Sequence, residues 1–287
     1  RNEASTILKC INEIKSAFKK YKIDGEIIVS DSSSDGSDKI AKGKAIVIKH
    51  NQKGYGVACI IGIKHAKGKY LILGDADATY SFLEIDKLLR KAKEGYDLVI
   101  GSRVKGRIHK GAMPFLNRYI GNPVLSFIIN LFFKTSISDA NSGFRLITRK
   151  AFKKLNLKTT GMECASEMII KASKNGLKIT ETPITYYPRI GKSKLRPFSD
   201  GWRHLRFMLM FSPTYLFFIP GGILFIIGML LILSATFSIL GSALAVLGYQ
   251  ITTLGLYSKI YAIHTGFEKN DRLIDFIAKH LPLERGI

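Results

Sequence analysis

The stretch Tyr70-Leu71-Ile72-Leu73-Gly74-Asp75-Ala76-Asp77 decides the fold prediction for this chain. Residues 70–73 form a short apolar run that ends at a glycine, which is typical of a buried strand in a parallel sheet. Asp75 and Asp77 follow at the carboxyl end of this predicted strand, where ligands bind in open α/β sheets. Two carboxylates one residue apart suit a Mg²⁺ or Mn²⁺ ion that is shared with substrate phosphates. For an isolated Asp-x-Asp sequence, a solvated turn is the alternative.

The composition excludes a disordered chain and a disulfide scaffold. Of the 287 residues, 46% are hydrophobic, which is enough for a packed core. The three cysteines (Cys10, Cys59 and Cys164) are widely spaced and odd in number, which argues against a disulfide framework or a zinc knuckle. They favour a catalytic part that faces the reducing cytoplasm.

The formal net charge of +22 has three competing explanations. These are nucleic-acid binding, attraction to an anionic membrane surface and a lysine-rich genome. Because the lysines are scattered along the chain, the third explanation is favoured as a partial cause. The apolar C-terminal third then favours a membrane protein, without a nucleic-acid partner.

Strand-like runs alternate with helical or loop segments in the first part of the chain. The runs cover residues 26–29, 45–48, 70–73 and 97–100. Helices are predicted at residues 56–66 and 82–94, and also near the start, where apolar residues recur with helical spacing. This alternation predicts an α/β fold with a mostly parallel, Rossmann-like sheet and right-handed crossovers. Since a helix opens the chain, we expect that a short N-terminal strand precedes residue 1.

Beyond residue 103 the pattern is less regular. Helices are predicted at residues 123–133 and 166–175, and a strand at residues 180–187. The segment 189–196 is basic and contains a glycine, so we expect it to be a mobile loop.

Two uncharged stretches, residues 215–234 and 238–257, indicate that the C-terminal part lies in a membrane. Each would be ~30 Å long as a helix, which matches the hydrocarbon core of a bilayer. A pair of buried helices in a soluble protein is the alternative. Basic residues flank both outer ends, which predicts a hairpin whose two ends face the cytoplasm.

Small residues line one face of the second stretch and suit close helix packing, including pairing between subunits of a homo-oligomer. They are Gly241, Ala245, Gly248 and Gly255. We predict a catalytic domain at residues 1–211, two transmembrane helices at 212–258 and a C-terminal helix at 259–287. That last helix would lie on the membrane or pack on the catalytic domain. The protein would thus be a multi-pass protein of the cell membrane with a cytoplasmic catalytic domain.

Seven short motifs occur in one order over about 195 residues. They are Arg1-Asn2-Glu3, Ser30-Asp31-Ser32-Ser33-Ser34-Asp35-Gly36-Ser37, Asn51-Gln52-Lys53-Gly54-Tyr55-Gly56, Asp75-Ala76-Asp77, Gly101-Ser102-Arg103, Ser138-Asp139-Ala140-Asn141-Ser142-Gly143-Phe144-Arg145 and Gly191-Lys192-Ser193-Lys194-Leu195. On these motifs, residues 1–215 resemble the family-2 glycosyltransferases with a GT-A fold. Within that family the chain most resembles the polyprenyl-phosphate glycosyltransferases, the group of dolichyl-phosphate mannose and glucose synthases.

The resemblance implies a nucleotide-diphosphate sugar as donor and Mg²⁺ or Mn²⁺ as cofactor. Asp75 and Asp77 would hold the metal, with Thr79 as a third residue on the metal side. The residues implied to bind the donor nucleotide are Glu3, Asp31, Asp35, Lys53, Gly54 and Asp75. Lys53 and Gly54 precede a predicted helix start, which is a favourable place for a diphosphate. Turn capping is the alternative for Asp31 and Asp35.

The resemblance also implies a polyprenyl phosphate, dolichyl or undecaprenyl, as acceptor. Because a phosphate monoester is already ionised near pH 7, it needs cations rather than a general base. The residues implied to bind its phosphate are Arg103, Arg118, Ser142, Arg145, Arg189 and Lys194. A solvated surface charge is the alternative for the arginines, and Asp139 is expected to orient one of them. The candidate catalytic residues are Asp77, Arg103, Arg118 and Asp139.

The predicted reaction is the inverting transfer of a hexose from a UDP- or GDP-sugar to the lipid phosphate. Two alternatives stay open. One is a membrane glycosyltransferase of the same fold that makes polysaccharide or glycolipid, and the other is a non-enzymatic binder of acidic lipid or nucleic acid. The first is disfavoured because processive members usually carry Gln-x-x-Arg-Trp near the membrane, whereas Gly201-Trp202-Arg203-His204 lacks that glutamine. The identity of the sugar and of the nucleobase stays open as well.

Overall fold

The computed structural model describes residues 1–191 and 197–264. The chain forms two compact units, Arg1–Phe207 and Met208–Ile287. Strands and helices alternate in the first unit, and the second contains two long apolar helices.

The first unit has the alternating order that the sequence predicts. Its strands are β1 (Ile28–Asp31), β2 (Ile46–Lys49), β3 (Tyr70–Leu73), β4 (Leu98–Ile108), β5 (Arg145–Thr148) and β6 (Ile179–Tyr186). Its helices are α1 (Ile7–Tyr21), α2 (Ser37–Ala41), α3 (Tyr55–His65), α4 (Ile85–Lys93), α5 (Asn122–Phe133), α6 (Arg149–Leu155), α7 (Cys164–Lys174) and α8 (Pro197–Met210), of which α8 extends into the second unit. A 3-10 turn (Phe82–Glu84) precedes α4, and a π-helical turn (Asn117–Gly121) precedes α5.

The strands pair in two sheets. In the first, β1 and β2 are parallel. The second has the order β3-β5-β4-β6, in which β5 runs antiparallel to β3 and β4, and β4 is parallel to β6. Strands β3, β4 and β6 therefore share one direction and their carboxyl ends meet at one edge. The predicted α/β class with a mostly parallel, Rossmann-like arrangement is confirmed.

The core of this unit lies between the second sheet and helices α1 and α4. It contains Cys10, Ala17, Ala78, Tyr80, Phe82, Ile85, Leu88, Ala92, Val99, Phe144, Leu146 and Ile184. Full burial of one large apolar side chain contributes about 1.5–3 kcal/mol to folding. Because the first six residues of β4 and the first three of β5 are buried, the positions of Arg103 and Arg145 on these strands are well supported. Rigid strand ends suit the precise placement of functional side chains.

The structure differs from the sequence prediction at two strands. The sequence predicts a fully buried β3, but only Leu71 is buried. The reason is that β3 is an edge strand of its sheet, where it pairs with β5. β5 was not predicted, since it is only four residues long and opens with Arg145.

The second unit contains α9 (Ile219–Ile232) and α10 (Ser238–His264), and a π-helical turn (Thr214–Phe218) precedes α9. The segments Thr214–Ile232 and Ser238–Tyr261 are long and apolar enough to cross a membrane. α10 continues unbroken past residue 258, so the predicted boundary there falls inside a helix. The rest of the predicted C-terminal helix, residues 265–287, lies outside the described residues.

Glycines mark the places where α9 and α10 touch. A Cβ atom on Gly228 would lie 2.4 Å from the backbone nitrogen of Ala245, and one on Gly248 would lie 2.4 Å from that of Phe225. The predicted small-residue face is therefore used within the hairpin, where it lets the two backbones approach. Pairing of subunits through this face is not supported, because α9 covers it.

Candidate active site

The chain turns sharply after β3, and this turn carries Asp75 and Asp77. Asp77 is buried, and its Oδ1 accepts hydrogen bonds from the backbone N–H (3.1 Å) and the hydroxyl (2.6 Å) of Thr79. Ala78 has a φ of 61°, a left-handed conformation that is strained for alanine, and such strain concentrates at functional sites. Since the Thr79 hydroxyl directs its proton at Asp77, Thr79 orients this carboxylate. That role differs from the metal-side contact predicted for it.

Asp75 lies against the backbone of Gly143. A Cβ atom at position 143 would lie 2.6 Å from Asp75 Oδ2, so any larger residue there would displace the carboxylate from this position. The N–H of Gly143 donates to the hydroxyl oxygen of Tyr80 at 2.8 Å, which ties this segment to the turn. Burial, and after it the charge of Asp77, raises the pKa of Asp75 to about 6, although Arg103 and Arg189 act to lower it.

The two carboxylates fit a hard divalent cation. A raised carboxyl pKa beside a second carboxylate marks a place where added positive charge is stabilising. Within residues 1–191 and 197–264, no group of three or more His, Cys, Asp or Glu side chains is placed to hold a metal ion. A cation at Asp75 and Asp77 would therefore take its remaining ligands from phosphate oxygens and water, as Mg²⁺ commonly does.

Arg189 reaches this turn from the segment after β6. Its Nη1 lies 3.1 Å from Asp77 Oδ2, and its Nη2 donates to Glu3 Oε1. The side chain of Arg189 is 21% exposed, and those of Glu3 and Asp77 are 12% and 9% exposed, so the group is largely shielded from water. Arg189, predicted at the acceptor phosphate, and Glu3, predicted at the nucleotide, thus meet beside Asp77. Lys194 lies outside the described residues.

Arg103 and Asp139 form a buried ion pair. Arg103 donates from Nε to Oδ2 and from Nη2 to Oδ1, both at 2.7 Å, and its backbone N–H adds a bond of 2.9 Å. Burial acts to raise the pKa of Asp139, but the charge of Arg103 and its hydrogen bonds outweigh burial and hold this pKa below its usual range. Asp139 therefore stays ionised and orients Arg103, and it is unsuited to act as a general base.

Two residues that the sequence did not single out support this ion pair. Glu181, in β6, accepts hydrogen bonds from the N–H groups of Ser138 and Asp139 at 2.9 and 3.0 Å. The guanidinium of Arg103 lies over the ring of Tyr186, 5.0 Å from its centroid. Glu181 could have been identified from the sequence, because it is a carboxylate inside a predicted strand and a buried charge requires partners.

Arg145 and Ser142 are not placed to bind an acceptor phosphate. The guanidinium of Arg145 is buried and donates to the backbone carbonyls of Ser142, Ala165 and Ala140. The side chain of Ser142 is fully buried as well. A buried arginine needs acceptors for its N–H groups, and here the chain itself supplies them. The two residues shape the segment that carries Asp139, and their predicted phosphate contact is not supported.

The two aspartates predicted at the nucleotide differ in their surroundings. Asp31, at the end of β1, is buried, and its Oδ1 accepts from the Ser33 hydroxyl. Its Oδ2 is buried and has no hydrogen-bond partner in the part of the chain that the structure describes. Such an oxygen is suited to a ligand N–H or hydroxyl. Asp35 is exposed and accepts from Ser37 and the N–H of Ala4, which matches the turn-capping alternative.

The start of α3 is closed to a diphosphate. The N–H groups of Gly56 and Val57 donate to the carbonyls of Gly161 and Thr160 at 3.2 and 3.3 Å. A Cβ atom on Gly54 would lie 2.2 Å from the carbonyl oxygen of Thr160. Because these N–H groups are the ones that bind anions at a helix N-terminus, the predicted diphosphate contact of Gly54 is not supported. Gly54 instead allows close packing of two chain segments.

Lys53 and Arg118 are exposed cations. Arg118 lies on the π-helical turn before α5, and its guanidinium is 5.2 Å from the ring centroid of Tyr119. Neither forms an ion pair with a described residue. Seven of the predicted residues lie together in the structure. We call five of them the charged cluster: Glu3, Asp75, Asp77, Arg103 and Arg189. The other two, Thr79 and Asp139, hold Asp77 and Arg103 of this cluster.

The chain is similar to known glycosyltransferases in sequence and in fold. Residues 1–156 match the family described as Glycosyl transferase family 2. The chain is 45% identical over 218 residues to the low-salt glycan biosynthesis hexosyltransferase Agl6 of Haloferax volcanii, covering 75% of this chain and 53% of Agl6. It is 32% identical over 180 residues to a dolichyl-phosphate hexose transferase of the same organism, covering 61% of this chain and 76% of that protein. The chain thus spans about half the length of Agl6.

A solved structure has the same fold. It is glucosyl-3-phosphoglycerate synthase from Mycobacterium tuberculosis in complex with Mn²⁺, UDP and glucosyl-3-phosphoglycerate, with a TM-score of 0.56 over 72% of this chain and 75% of that one. At 19% identity, this likeness supports the fold alone. The family match covers more than half of the chain, and the chain therefore belongs to glycosyl transferase family 2.

Proposed function

We propose that this chain transfers a hexose from a nucleotide-diphosphate sugar to a polyprenyl phosphate, with Mg²⁺ or Mn²⁺ as cofactor. The charged cluster is the observation that carries this proposal, because its carboxylates suit a cation and its arginines suit phosphates. Two relatives are a hexosyltransferase and a dolichyl-phosphate hexose transferase, which supports a hexose and a lipid phosphate as substrates. Mn²⁺ and UDP in the similar structure are consistent with a metal-bound donor.

The metal would be held by Asp75 and Asp77. When bound there, it would neutralise charge on the departing nucleoside diphosphate. The chain's own contribution is geometric: Thr79 orients Asp77, and Gly143 leaves room for Asp75. The Oδ2 atom of Asp31 has no hydrogen-bond partner among the described residues, and Asp31 is our candidate for a contact to the nucleoside.

The attacking group needs no base in this scheme. An oxygen of the ionised lipid phosphate would attack the anomeric carbon while the bond from that carbon to the nucleoside diphosphate breaks, with inversion and without proton transfer. Arg103 and Arg189 offer cationic N–H groups to the phosphates, and Asp139 holds Arg103 in place. Positioning and electrostatic stabilisation would supply most of the rate.

An apolar surface near Arg118 supports a lipid acceptor. Helix α5 buries Asn122, Ser126, Ile129 and Phe133. Its opposite side and the preceding turn expose large apolar side chains, and we call this set the apolar surface: Phe115, Leu116, Tyr119, Ile120, Val124, Phe127 and Leu131. Apolar residues turned outward indicate contact with a non-aqueous partner. Arg118 lies within this set and is our candidate for the lipid phosphate head.

The second unit supports attachment to a membrane. Its two apolar segments are long enough to span a bilayer, and basic residues flank their outer ends. We propose that both helices cross the membrane and that the catalytic unit faces the cytoplasm. A cysteine introduced at the exposed position 15 (Lys15→Cys) tests this orientation through its reaction with a membrane-impermeant thiol label, compared in right-side-out and inverted vesicles.

The function is tested with the full chain in detergent, radiolabelled UDP- and GDP-sugars, Mg²⁺ or Mn²⁺, and a polyprenyl phosphate. We expect label in a lipid product that mild acid releases. Label found only in long polymer would favour a polysaccharide synthase instead. The absence of transfer from every common donor would contradict the proposal.

A further inference from the structure

Arg189 joins two carboxylates that belong to two different turns of the first unit. Glu3 belongs to the N-terminal turn before α1, and Asp77 belongs to the turn after β3. The guanidinium of Arg189 is close to both, with Nη2 at Glu3 Oε1 and Nη1 at Asp77 Oδ2. The bridge therefore lies where the proposed cation would bind.

Both oxygens of Asp77 are engaged in this arrangement. Oδ1 accepts from the backbone and hydroxyl of Thr79, and Oδ2 faces Arg189. A divalent cation that binds Asp77 with Thr79 in place must use Oδ2. Two positive charges at one oxygen repel each other strongly in a site shielded from water. Arg189 and the metal thus compete for the same atom.

The bridge leaves one donor of Arg189 unsatisfied. Its Nε is buried and has no hydrogen-bond partner among residues 1–191 and 197–264. A buried N–H without an acceptor is costly, so this pose does not use the full hydrogen-bonding capacity of the guanidinium. The planar fork of arginine matches phosphate oxygens, which could accept from Nε and one Nη together. Exchanging its carboxylate partners for substrate phosphate oxygens would therefore satisfy more of the hydrogen-bond donors of Arg189.

We propose that Arg189 is the counter-ion of Asp77 and Glu3 in the empty enzyme, and that metal binding displaces it from Asp77 toward substrate phosphate. This inference rests on the proposed function, because it assumes the metal site. Its consequence is that the metal alone binds weakly. If Arg189 occupies the site in about 90% of empty molecules, the apparent affinity for the metal falls about tenfold.

The test measures Mn²⁺ binding to the full chain in detergent, without nucleotide, by electron paramagnetic resonance of the free ion. Arg189→Gln removes the competing charge, and we expect it to bind Mn²⁺ about tenfold more tightly than wild type. Arg189→Lys keeps the charge, and its affinity should stay within about threefold of wild type. Arg90→Gln is the matched control, since it removes one positive charge from an exposed pair on α4 and should change nothing.

The outcomes separate this inference from the proposed function. Unchanged or weaker Mn²⁺ binding in Arg189→Gln, or no binding in either protein, overturns the exchange. Asp77→Asn is measured in parallel. If it binds Mn²⁺ as wild type does, the metal site itself is wrong, whereas loss of binding in Asp77→Asn without a gain in Arg189→Gln refutes only the role of Arg189. A thermal unfolding curve for each variant checks that the fold is kept.

Discussion

Arg103 meets Asp139 side-on, with Nε and Nη2 each 2.7 Å from a different carboxylate oxygen. The Asp139 side chain is fully buried, and that of Arg103 is 10% exposed. Removing one partner of such a pair leaves an uncompensated buried charge, which costs about 3–5 kcal/mol. The pair therefore stabilises the fold, and it also fixes the orientation of Arg103 in the charged cluster.

Asp139→Asn should lower the free energy of unfolding by about 3 kcal/mol at pH 7, because Arg103 loses its counter-charge. The folded pKa of Asp139 lies below its ordinary value, so its stabilising contribution is present above about pH 4 and is lost as the pH falls through the folded pKa. Urea unfolding at several pH values measures this. The gap between wild type and Asp139→Asn should close as the pH falls below about 4, and a gap that is independent of pH would refute the ion-pair explanation.

Asp75→Asn should stabilise the metal-free protein at pH 7 by roughly 1–3 kcal/mol. The folded pKa of about 6 exceeds the ordinary value of 3.8, so the contribution of Asp75 to stability is full below about pH 4 and is lost as the pH rises through about 6. The asparagine avoids that loss but should abolish Mn²⁺ binding. Thermal unfolding without metal at pH 5 and pH 7 measures the effect. Asp86→Asn, which removes a carboxylate from a surface ion pair, is the control. If Asp75→Asn were less stable than wild type at pH 7, the charged Asp75 carboxylate would not be destabilising as we propose.

Gly56→Ala should destabilise the first unit by about 2–4 kcal/mol, because its Cβ would lie 2.2 Å from the carbonyl oxygen of Thr159. Gly62→Ala is the matched control in the same helix, where the added Cβ would make an ordinary contact 3.5 Å from Ser30. That variant should be neutral or gain up to about 1 kcal/mol from helix propensity. Chemical denaturation measures the free energy of unfolding of both variants. Equal stabilities would mean that the segment 159–161 does not pack on α3 as described.

Arg118→Ala should raise the KM for polyprenyl phosphate at least about tenfold and leave the KM for the nucleotide sugar nearly unchanged. The physical reason is the loss of one charge-assisted contact to the phosphate head, which is worth about 1.5–3 kcal/mol. Steady-state kinetics with each substrate varied in turn provide the measurement. Arg90→Ala, another exposed arginine, should change neither constant. A larger increase in the KM for the nucleotide sugar than in that for polyprenyl phosphate would indicate that Arg118 binds the donor instead.

The strand and helix pattern was predictable because it follows from local periodicity. The apolar runs of β2, β3 and β4 and the amphipathic spacing in α4 all appear where expected, within a few residues. β5 was missed since its four residues carry no periodic signal, and its place between β3 and β4 depends on long-range pairing. Periodicity cannot report which distant strands become neighbours.

The site was predictable in part, for the same reason. Asp75 and Asp77 were identifiable because a strand end precedes them. The burial of Arg145 and the closure of the α3 start by Gly161 depend on segments about 20 and 105 residues away. Local sequence does not show whether an arginine will find phosphate or the chain's own carbonyls. Tertiary contacts decide that, and they also place Arg189 on Asp77.

The most direct measurement compares sugar transfer to polyprenyl phosphate by wild type and Asp77→Asn, at saturating nucleotide sugar and Mn²⁺. Asp77→Asn keeps an oxygen for Thr79 but loses the charge that the metal needs. We expect transfer by the wild type and at least about a thousandfold lower rate in the variant, with a cooperative thermal unfolding transition that shows that the variant is folded. Normal turnover by a folded Asp77→Asn protein would contradict the metal-dependent transfer that we propose.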